Sequence, residues 1–506
     1  MRKIGSACAL LLLAGCVGLP QHVIKYRSEA LRSPQTTALG RIAEESAAGI
    51  PPNLSGIRLL TSGEEAFDSW IALADRAERT LDIQYYIIHQ DESSRVLLRH
   101  VRAAADRGVR VRLLVDDLNT AGEDRRFMHL EQHANISVRV FNPFPGGRSA
   151  IWSRILTSIS DIPRINHRMH NKLFVADNAL AITGGRNIGN EYFTRDKRSN
   201  FIDLDVVTAG PIVPQLSASF DAFWNSKYAY PISSLAAPVE SPPPPAPPAP
   251  ALAESGSADE GNWLARELDA HELKLTWVAA TVLADRPAKI ASESSPAQEV
   301  TIANNIAALI RSAQQEVVVI SPYFVPGKTG VALIRKLRER GVHIRILTNS
   351  LASTDSPLVH NGYSRYRVAL LKLGVELSEV RPQLGQKRLR FHPFRSSHAS
   401  LHAKALVIDQ KIVFVGSLNM DERSARLNSE LGLVIRSPEI ARQVTSLLDD
   451  LSADGSYRLA LDSRDRIVWS SGEPGAERIW HKDPETTLPQ RFTLDLLAPF
   501  APEELL

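Results

Sequence analysis

The stretch LHAKALVIDQKIVFVGSLNMDERSARLNSE at 401–430 carries the pattern that decides how the rest of this chain is understood. Its His402, Lys404 and Asp409 follow the spacing His-x-Lys-x4-Asp, and a Gly-Ser-x-Asn segment comes next. The stretch HNKLFVADNALAITGGRN at 170–187 repeats this layout. The repeated residues pair as His170 with His402, Lys172 with Lys404, Asp177 with Asp409, Gly184 with Gly416, Gly185 with Ser417, and Asn187 with Asn419. So strict a duplication predicts two related halves that serve one function.

The duplication extends beyond the motif to whole domains. Between 81 and 115, a β-rich run, a run with helical apolar spacing and a second β-rich run follow one another. The same succession recurs between 317 and 347. A strand–helix–strand unit implies parallel strands with a helix packed on the sheet. We therefore predict an α/β protein of two similar sandwich domains, with mixed sheets flanked by helices and a pseudo-two-fold arrangement around one shared site.

The composition argues against some classes of function. The 506 residues include 59 basic and 56 acidic side chains, which leaves a net charge of +3. A protein that binds nucleic acid along a broad surface usually carries a larger basic excess. We therefore expect no nucleic-acid partner, while the hydrophobic share of 44% is typical of packed globular domains.

The first residues, MRKIGSACALLLLAGC, resemble a bacterial lipoprotein signal. Two basic residues precede an apolar run that is too short to span a bilayer as a helix of about 20 residues. The resemblance implies cleavage before Cys16 and attachment of lipid to that cysteine; an uncleaved apolar N-terminus is the alternative. We expect a lipid-anchored protein on the periplasmic side of a bacterial cell envelope, with the outer and the inner membrane both left open.

Changes in composition divide the chain further. The run PPPPAPPAP at 242–250 can form neither a helix nor a strand ladder, so we expect an extended spacer, with an SH3-type ligand as the less favoured interpretation. The predicted parts are a signal peptide at 1–16, a tether at 17–52, a first domain at 53–232, a proline-rich linker or insertion at 233–262, and a second domain with a C-terminal extension at 263–506.

The repeated motif brings three kinds of side chain to one end of a hairpin. After each His-x-Lys pair an apolar run leads to the Asp, and the returning run brings Gly-x-x-Asn level with the pair. An ammonium and a carboxamide beside an imidazole suit the oxygens of a phosphodiester. We expect no metal and no cofactor, because the lysine two residues from each histidine repels a cation.

Two such sites would place two histidines across one phosphorus, one as nucleophile and the other as general acid and base. Each histidine also needs a carboxylate that orients it. Glu430 is the candidate after the second motif, and the corresponding segment offers Asp203, which we prefer over Asp205. Asp177 and Asp409 lie at the turns, roughly 16 Å of strand from the lysines, so we expect them to support the hairpins.

These residues resemble the phospholipase D superfamily, whose signature is two His-x-Lys-x4-Asp motifs followed by Gly-Gly or Gly-Ser and an Asn. Longer segments are similar to the bacterial C-type cardiolipin synthase branch; they include LDIQYYI at 81–87, SPYFVPG at 321–327 and GSLNMDERS at 416–424. The resemblance runs from about residue 52 to near the C-terminus.

The resemblance implies His170 and His402 as nucleophile and acid/base, with a preference for His170 as the attacking group. It implies that the phosphate ligands are Lys172, Lys404, Asn187 and Asn419, and that the histidine partners are Asp203 and Glu430. The implied function is phosphatidyl transfer that makes cardiolipin, with phosphatidylglycerol and also phosphatidylethanolamine as substrates. The resemblance also implies contact with the membrane surface and is compatible with an accessory protein. The alternatives are a phospholipase D-type hydrolase, another phosphodiesterase or nuclease of the superfamily, and a non-catalytic phospholipid-binding envelope lipoprotein.

Overall fold

The computed structural model describes residues 18–148, 161–238, 262–291, 301–383, 398–472 and 477–487, and the isolated positions 153, 154 and 158. The signal segment with Cys16, the proline run and the residues after 487 lie outside the described residues. Our expectations for those segments stay predictions.

The described strands of the first lobe are β1 (Ser55–Leu60), β2 (Thr80–Tyr85), β3 (Arg110–Asp116), β4 (Ile136–Phe141), β5 (Leu173–Ala176), β6 (Leu180–Gly184), β7 (Ser199–Ile202), β8 (Asp205–Ala209) and β9 (Ala229–Pro231). All of them except β7 form one mixed sheet in the order β9-β4-β3-β2-β5-β6-β8-β1. In this sheet β2, β3 and β4 run parallel, and the other neighbours run antiparallel.

Helices cover this sheet on both faces. They are α1 (Ala38–Ser46), α2 (Gly63–Arg76), α3 (Glu92–Asp106), α4 (Asp124–Glu131), α5 (Ile162–Ile165) and α6 (Ile212–Trp224). Side-chain caps start three of them: Thr37 accepts from the Gly40 N–H at 3.1 Å, Ser62 from the Glu65 N–H at 3.0 Å, and Asp91 from the Ser94 N–H at 3.0 Å. The predicted strand–helix–strand unit between 81 and 115 is confirmed as β2, α3 and β3.

The second lobe repeats this plan. Its sheet has the order β10-β17-β16-β15-β11-β12-β13-β18-β19-β20, again with three parallel strands, β11 to β13. The strands are β10 (Thr276–Ala284), β11 (Glu316–Ile320), β12 (His343–Asn349), β13 (Glu376–Val380), β14 (His398–Leu401), β15 (Ala405–Ile408), β16 (Ile412–Gly416), β17 (Leu431–Arg436), β18 (Ser456–Leu461), β19 (Ile467–Ser471) and β20 (Arg478–Trp480).

The helices of the second half follow the same alternation. They are α7 (Trp263–Asp269), α8 (Ile302–Ser312), α9 (Gly327–Glu339), α10 (Pro357–Ser364), α11 (Arg367–Lys372), α12 (Glu422–Arg426) and α13 (Pro438–Asp454). Among the described residues, each helix is too short or too polar to cross a lipid bilayer.

The two lobes share one continuous sheet and one of the buried apolar clusters. β1 pairs antiparallel with β10, with Gly56 opposite Trp277, so the two sheets join edge to edge. One apolar cluster contains Phe220 of α6, Leu448 of α13 and inward-facing residues of both sheets, such as Val175 and Val407. The prediction of two similar α/β domains in a pseudo-symmetric arrangement is confirmed, and the shared core holds their motif hairpins side by side.

The expectation that 17–52 is a loose tether is wrong for much of the described part of that segment. Helix α1 buries Leu39 and Ile42 in the core of the first lobe. Ahead of it, the backbone oxygen of Ser28 accepts from Arg112 at 2.8 Å. The small polar residues around α1 hid an amphipathic helix, because the spacing of Leu39, Ile42 and Ala43 covers only one turn.

Candidate active site

Each motif aspartate braces a hairpin. β5 and β6 are joined by Asp177 and Asn178, with φ of 53° and 51°, and β15 and β16 by Asp409 and Gln410, with φ of 52° and 51°. Two consecutive left-handed residues are typical of the two-residue turns that join twisted strands. Asp177 accepts from three backbone N–H groups at 78–80, and Asp409 from three at 314–316. Their contacts tie each turn to the neighbouring strand, as the sequence predicts.

The hairpin register brings the parts of the motif together. Leu173 pairs with Thr183 and Ala405 pairs with Val415, so the lysine before each first strand lies opposite the glycine that ends the second. The Gly416 N–H donates to the backbone oxygen of Lys404 at 3.3 Å. The structure therefore brings the His-x-Lys pair and the Gly-x-x-Asn segment to the same end of each hairpin.

The histidine of each lobe contacts the carboxylate of the other lobe. Nδ1 of His170 lies 2.9 Å from Oε2 of Glu430, and Nδ1 of His402 lies 2.6 Å from Oδ2 of Asp203. The sequence identified these four groups, but it placed Glu430 after the second motif without indicating that its partner is the first histidine. Each histidine–carboxylate pair therefore joins one lobe to the other.

The crossing follows from two short parallel pairings between the lobes. Strand β7 pairs with β14 in a register that sets Ile202 opposite Leu401, and the next residues in the two chains are Asp203 and His402. On the pseudo-symmetric side, Met169 forms a parallel bridge with Ser429, and the next residues are His170 and Glu430. In a parallel register, consecutive residues stay opposite one another, so both contacts are built into the backbone.

Asp205 has a different partner from Asp203. It accepts from Arg186, whose Nη1 lies 3.2 Å from Oδ2 of Asp205 and whose Nη2 donates to the backbone oxygen of Asp203 at 2.7 Å. Asp205 therefore neutralises a buried guanidinium, while Asp203 is left for His402, which agrees with our preference for Asp203.

The difference between Gly-Gly and Gly-Ser in the two motifs has a steric cause. A Cβ atom on Gly185 would lie 2.1 Å from Oδ1 of Asp203. At the corresponding place Ser417 donates its hydroxyl to Oε2 of Glu430. The shorter aspartate thus needs a glycine beside it, whereas the longer glutamate leaves room for a hydroxyl that holds it.

The lysines and carboxamides surround the histidines unequally. Nζ of Lys172 donates to the backbone oxygen of His170 at 2.7 Å, and Nζ of Lys404 donates in the same way to the backbone oxygen of His402. Nζ of Lys404 also lies against the ring of His402, at 2.8 Å from Nδ1 and 3.1 Å from Nε2. The carboxamide of Asn187 is fully engaged, with Tyr192 at 3.0 Å and the Ile87 N–H at 3.2 Å. Within the described part of the chain, the carboxamide oxygen of Asn419 has no hydrogen-bond partner.

Burial sets the charges of the site. It lowers the pKa of His170 to about 4, against the opposing effect of Glu430, and it also lowers the pKa of His402. Burial works against the ionised form of Asp203 as well, but His402 and Lys404 hold the pKa of that carboxyl at about 2. At neutral pH the pairs are therefore neutral imidazoles that each face an ionised carboxylate.

Burial lowers the pKa of both motif lysines. Burial lowers the pKa of Lys404 to about 8, with nearby carboxylates acting in the opposite direction. Burial, followed by the charge of Lys404, lowers the pKa of Lys172 well below its usual value. The crossed contacts of His170 with Glu430 and of His402 with Asp203 bring the two half-sites together, so that both can act on one anion.

Several contributors had no signal in the sequence. Tyr86 packs edge-on against His170 at 5.0 Å, and Tyr192 and Phe201 pack against His402 at 5.2 and 4.9 Å. Strand β2 ends at Tyr85, just before Tyr86, and the Ile87 N–H donates to the side chain of Asn187 at 3.2 Å. Aromatic residues near a strand end more often fill a core, so only the crossed geometry identifies these rings as walls of the site.

A second group of buried ionisable residues lies in the second lobe, away from the motifs. Side-chain atoms of His360, Glu379 and Asp483 lie near one another in a way that could hold a cation. The guanidinium of Arg367 already fills the space between them, at 2.8 Å from Glu379 and 2.9 Å from both Asp483 and His360. This group is a buried salt-bridge cluster that packs the second lobe.

Comparison with known proteins places this geometry in a family. The family described as "Cardiolipin synthase, PLD-like domain" matches residues 70–224 and 306–451, one segment in each lobe. Cardiolipin synthase C of Escherichia coli K12 is 37% identical over 464 residues, which cover 90% of this chain and 97% of that protein. Cardiolipin synthase A of Pseudomonas fluorescens Pf-5 is 27% identical over 424 residues, 83% of this chain and 74% of that protein.

A solved structure agrees at the level of the fold. Phosphatidylserine synthase of Haemophilus influenzae Rd KW20 aligns with 92% of this chain and 100% of its own, with a TM-score of 0.57 and 15% identity. Because the family matches both lobes and a relative 37% identical is covered almost completely, this chain belongs to the phospholipase D superfamily, in the cardiolipin synthase-like family of phospholipid enzymes.

Proposed function

We propose that this chain is a cardiolipin synthase, which transfers a phosphatidyl group through a phosphohistidine to the headgroup hydroxyl of a phosphatidylglycerol. The observation that carries the proposal is the pair of neutral, buried histidines, each with Nδ1 held by an ionised carboxylate of the opposite lobe. That arrangement leaves Nε2 of each ring as the reactive nitrogen.

The first half of the reaction forms the covalent intermediate. Nε2 of His170 attacks phosphorus, and the bond from phosphorus to the headgroup oxygen of the donor breaks as the bond to nitrogen forms. A bound phosphodiester anion raises the pKa of a histidine beside it, so His402 carries a proton and gives it to the leaving oxygen. Lys172 and Lys404 stabilise the negative charge on the remaining phosphoryl oxygens.

The second half reverses these roles. His402, now neutral, takes the proton of the acceptor hydroxyl, and that oxygen attacks phosphorus as the bond to His170 breaks. Glu430 stabilises the positive charge that His170 acquires in the intermediate, and Asp203 does the same for protonated His402. No step consumes a co-reactant beyond the two lipids.

Mass spectrometry of lipids tests this function directly. The purified protein is incubated in detergent with phosphatidylglycerol, with and without phosphatidylethanolamine, beside His170→Ala and His402→Ala. We expect cardiolipin from the unaltered protein and none from either variant, with both variants folded by circular dichroism. Phosphatidic acid in place of cardiolipin would indicate a hydrolase, and the absence of any product would indicate a lipid-binding protein.

We also propose that a lipid on Cys16 anchors the protein on the periplasmic side of the envelope. The sequence at 1–16, which resembles a lipoprotein signal, supports this proposal. Soon afterwards the chain docks on the first lobe, where Nζ of Lys25 donates to the Lys227 backbone oxygen at 2.7 Å. Eight residues lie between positions 16 and 25, so the first lobe would stay within about 30 Å of the bilayer. Metabolic labelling with palmitate should mark the protein and fail to mark Cys16→Ala; equal labelling of both would contradict the proposal.

A further inference from the structure

The backbone of Glu430 is held by a buried aspartate that takes no part in the reaction steps above. Asp285 is the residue after strand β10, and its N–H donates to the backbone oxygen of Glu430 at 3.0 Å. Oδ2 of Asp285 accepts from the Glu430 N–H, also at 3.0 Å. One residue therefore binds both backbone groups of Glu430, and it fixes the point from which the glutamate side chain reaches His170.

The contacts of Asp285 suit an ionised carboxylate. Among the described residues they are all donors: besides the Glu430 N–H, Nζ of Lys289 lies 2.7 Å from Oδ2, and the Ile302 N–H donates to Oδ1 at 3.0 Å. Burial raises the pKa of Asp285, and Lys289 acts in the opposite direction. Since Asp285 is 4% exposed and Lys289 8%, the two form a buried ion pair.

The fold does not require a charge at this place. Counted along the equivalent strands β1 and β10, Ser62 takes the place of Asp285 in the first lobe, and it is a neutral residue that caps α2. Taking two charges out of water costs free energy that their mutual attraction does not always return. A pair that is costly and absent from the equivalent position has a task beyond ending a strand.

The task is found in the way the two orienting carboxylates are held. Oδ1 of Asp203 accepts from the next N–H in the chain at 2.8 Å while Oδ2 contacts His402, so both of its oxygens are bound. Oε2 of Glu430 contacts His170 and the Ser417 hydroxyl, but within the described residues Oε1 has no hydrogen-bond partner. The direction of the longer glutamate side chain therefore depends more on its backbone.

Lys289 connects the ion pair with helix α12. Its Nζ donates to the backbone oxygen of Ser424 in that helix at 3.1 Å. The neighbouring Arg423 crosses to the first lobe, where it donates to the backbone and side-chain oxygens of Asn166 at 3.0 and 2.9 Å. Asn166 precedes His170 by four residues. The pair is thus linked to Glu430 directly and to the segment that carries its histidine partner through α12.

We propose that Asp285, held in place by Lys289, is a positioning residue that keeps Glu430 directed at His170 and so supports the attack on phosphorus. Its effect on the reaction passes through Glu430. The inference rests on the proposed function, because the direction of Glu430 matters to the rate only if His170 becomes cationic during the reaction.

Coupling between Asp285 and Glu430 tests this role. With phosphatidyl-p-nitrophenol in detergent, nitrophenolate leaves without a proton from His402, so the initial burst of colour reports the attack by His170. Asp285→Asn should slow the burst by about tenfold and change the substrate concentration for half-maximal burst rate by less than about twofold, because one amide oxygen cannot replace two carboxylate oxygens.

The same substitution in a Glu430→Gln protein separates positioning from a loss of stability. There the charge that Asp285 directs is already gone, so Asp285→Asn should slow the burst by less than a further factor of about two. A purely structural role would instead slow the burst by the same factor in both proteins.

Two further variants guard against misfolding. Asp285→Asn combined with Lys289→Met removes both buried charges and avoids the unpaired ammonium that Asp285→Asn alone leaves, and it should slow the burst as much as Asp285→Asn does. Asp82→Asn is the matched control, because Asp82 also forms a buried ion pair, with Arg112 at 2.6 Å, and neither residue belongs to the site. It should leave the burst rate unchanged within about twofold.

Equal slowing by Asp285→Asn with and without Glu430→Gln, or a normal burst rate in both Asp285 variants, would overturn the inference and leave the proposed function intact. A burst that is missing from the unaltered protein would contradict the proposed function, and the positioning role with it.

Discussion

Glu430→Gln should slow the step in which His170 attacks phosphorus, although the two residues belong to different lobes. The carboxylate lies 2.9 Å from Nδ1 of His170 and is completely buried. Glutamine has nearly the same shape, so the substitution removes the negative charge and preserves the volume. The charge matters because His170 becomes cationic as its bond to phosphorus forms.

The size of the effect follows from the kind of bond that is weakened. A hydrogen bond to a charged group contributes about 1.5 to 3 kcal/mol. Since each 1.36 kcal/mol of barrier changes a rate about tenfold, the attack should slow by about 10- to 150-fold. Asp203→Asn should have a similar effect on the steps that His402 performs.

A substrate with a good leaving group separates the two roles. Phosphatidyl-p-nitrophenol releases nitrophenolate, which needs no proton from His402, so the initial burst of colour reports attack alone. Glu430→Gln should lose most of the burst rate, whereas Asp203→Asn should keep it and lose the later turnover. Peptide mapping after an alkaline quench shows which histidine carries the phosphatidyl group.

The crossed pairing makes a prediction that does not depend on which histidine attacks. The carboxylate whose loss slows the burst must come from the lobe opposite the labelled histidine. If the two come from the same lobe, the crossed pairs do not operate in the reaction and our account of the site is wrong.

Four further predictions follow from individual contacts. Gly185→Ala places a Cβ 2.1 Å from the carboxylate of Asp203, so it should lower turnover far more than Ser417→Ala, which removes one hydroxyl; equal losses in a lipid assay would contradict the steric argument. Asp177→Ala removes three hydrogen bonds to the neighbouring strand and should cost about 3 kcal/mol in urea unfolding, and a loss under about 1 kcal/mol would show that the turn holds without it. Burial lowers the pKa of His170 from 6.5 to about 4, so as the pH falls the imidazole takes up its proton in the unfolded chain before it does so in the folded protein. Between pH 6.5 and 4 the free energy of unfolding should therefore fall by about 1.4 kcal/mol per pH unit, more steeply than in His170→Gln. Identical slopes in the two proteins would contradict the shift. Burial lowers the pKa of Lys404 to about 8, so kcat/KM should decline above that pH, and Lys404→Arg should move the decline to higher pH; an unchanged alkaline limb would exclude Lys404 as its cause.

The features that local patterns encode were predictable from the sequence. The duplicated spacing predicts two equivalent hairpins, and in the structure their turns lie at Asp177 and Asp409. Such turns are predictable because the pairing of strands close in sequence depends on the turn residues and on the alternation of apolar and polar side chains. The strand–helix–strand units were predictable for the same reason. Their pairing into parallel strands follows from the connecting helix.

The crossed contacts were not predictable in this way. They depend on β7 pairing with β14, strands separated by about two hundred positions in the chain, and nothing local in either strand specifies the other. The burial of α1 was missed because one turn of apolar residues is a weak signal beside small polar neighbours.

The stereochemical course at phosphorus tests the central claim most directly. Each in-line displacement inverts the configuration, so attack by a histidine followed by attack by the acceptor hydroxyl must give two inversions. A donor lipid that is chiral at phosphorus through oxygen isotopes, with a short-chain alcohol as acceptor, allows product configuration to be read by phosphorus NMR. We predict net retention. Net inversion would mean that the acceptor attacks the donor lipid directly and that no phosphohistidine lies on the path.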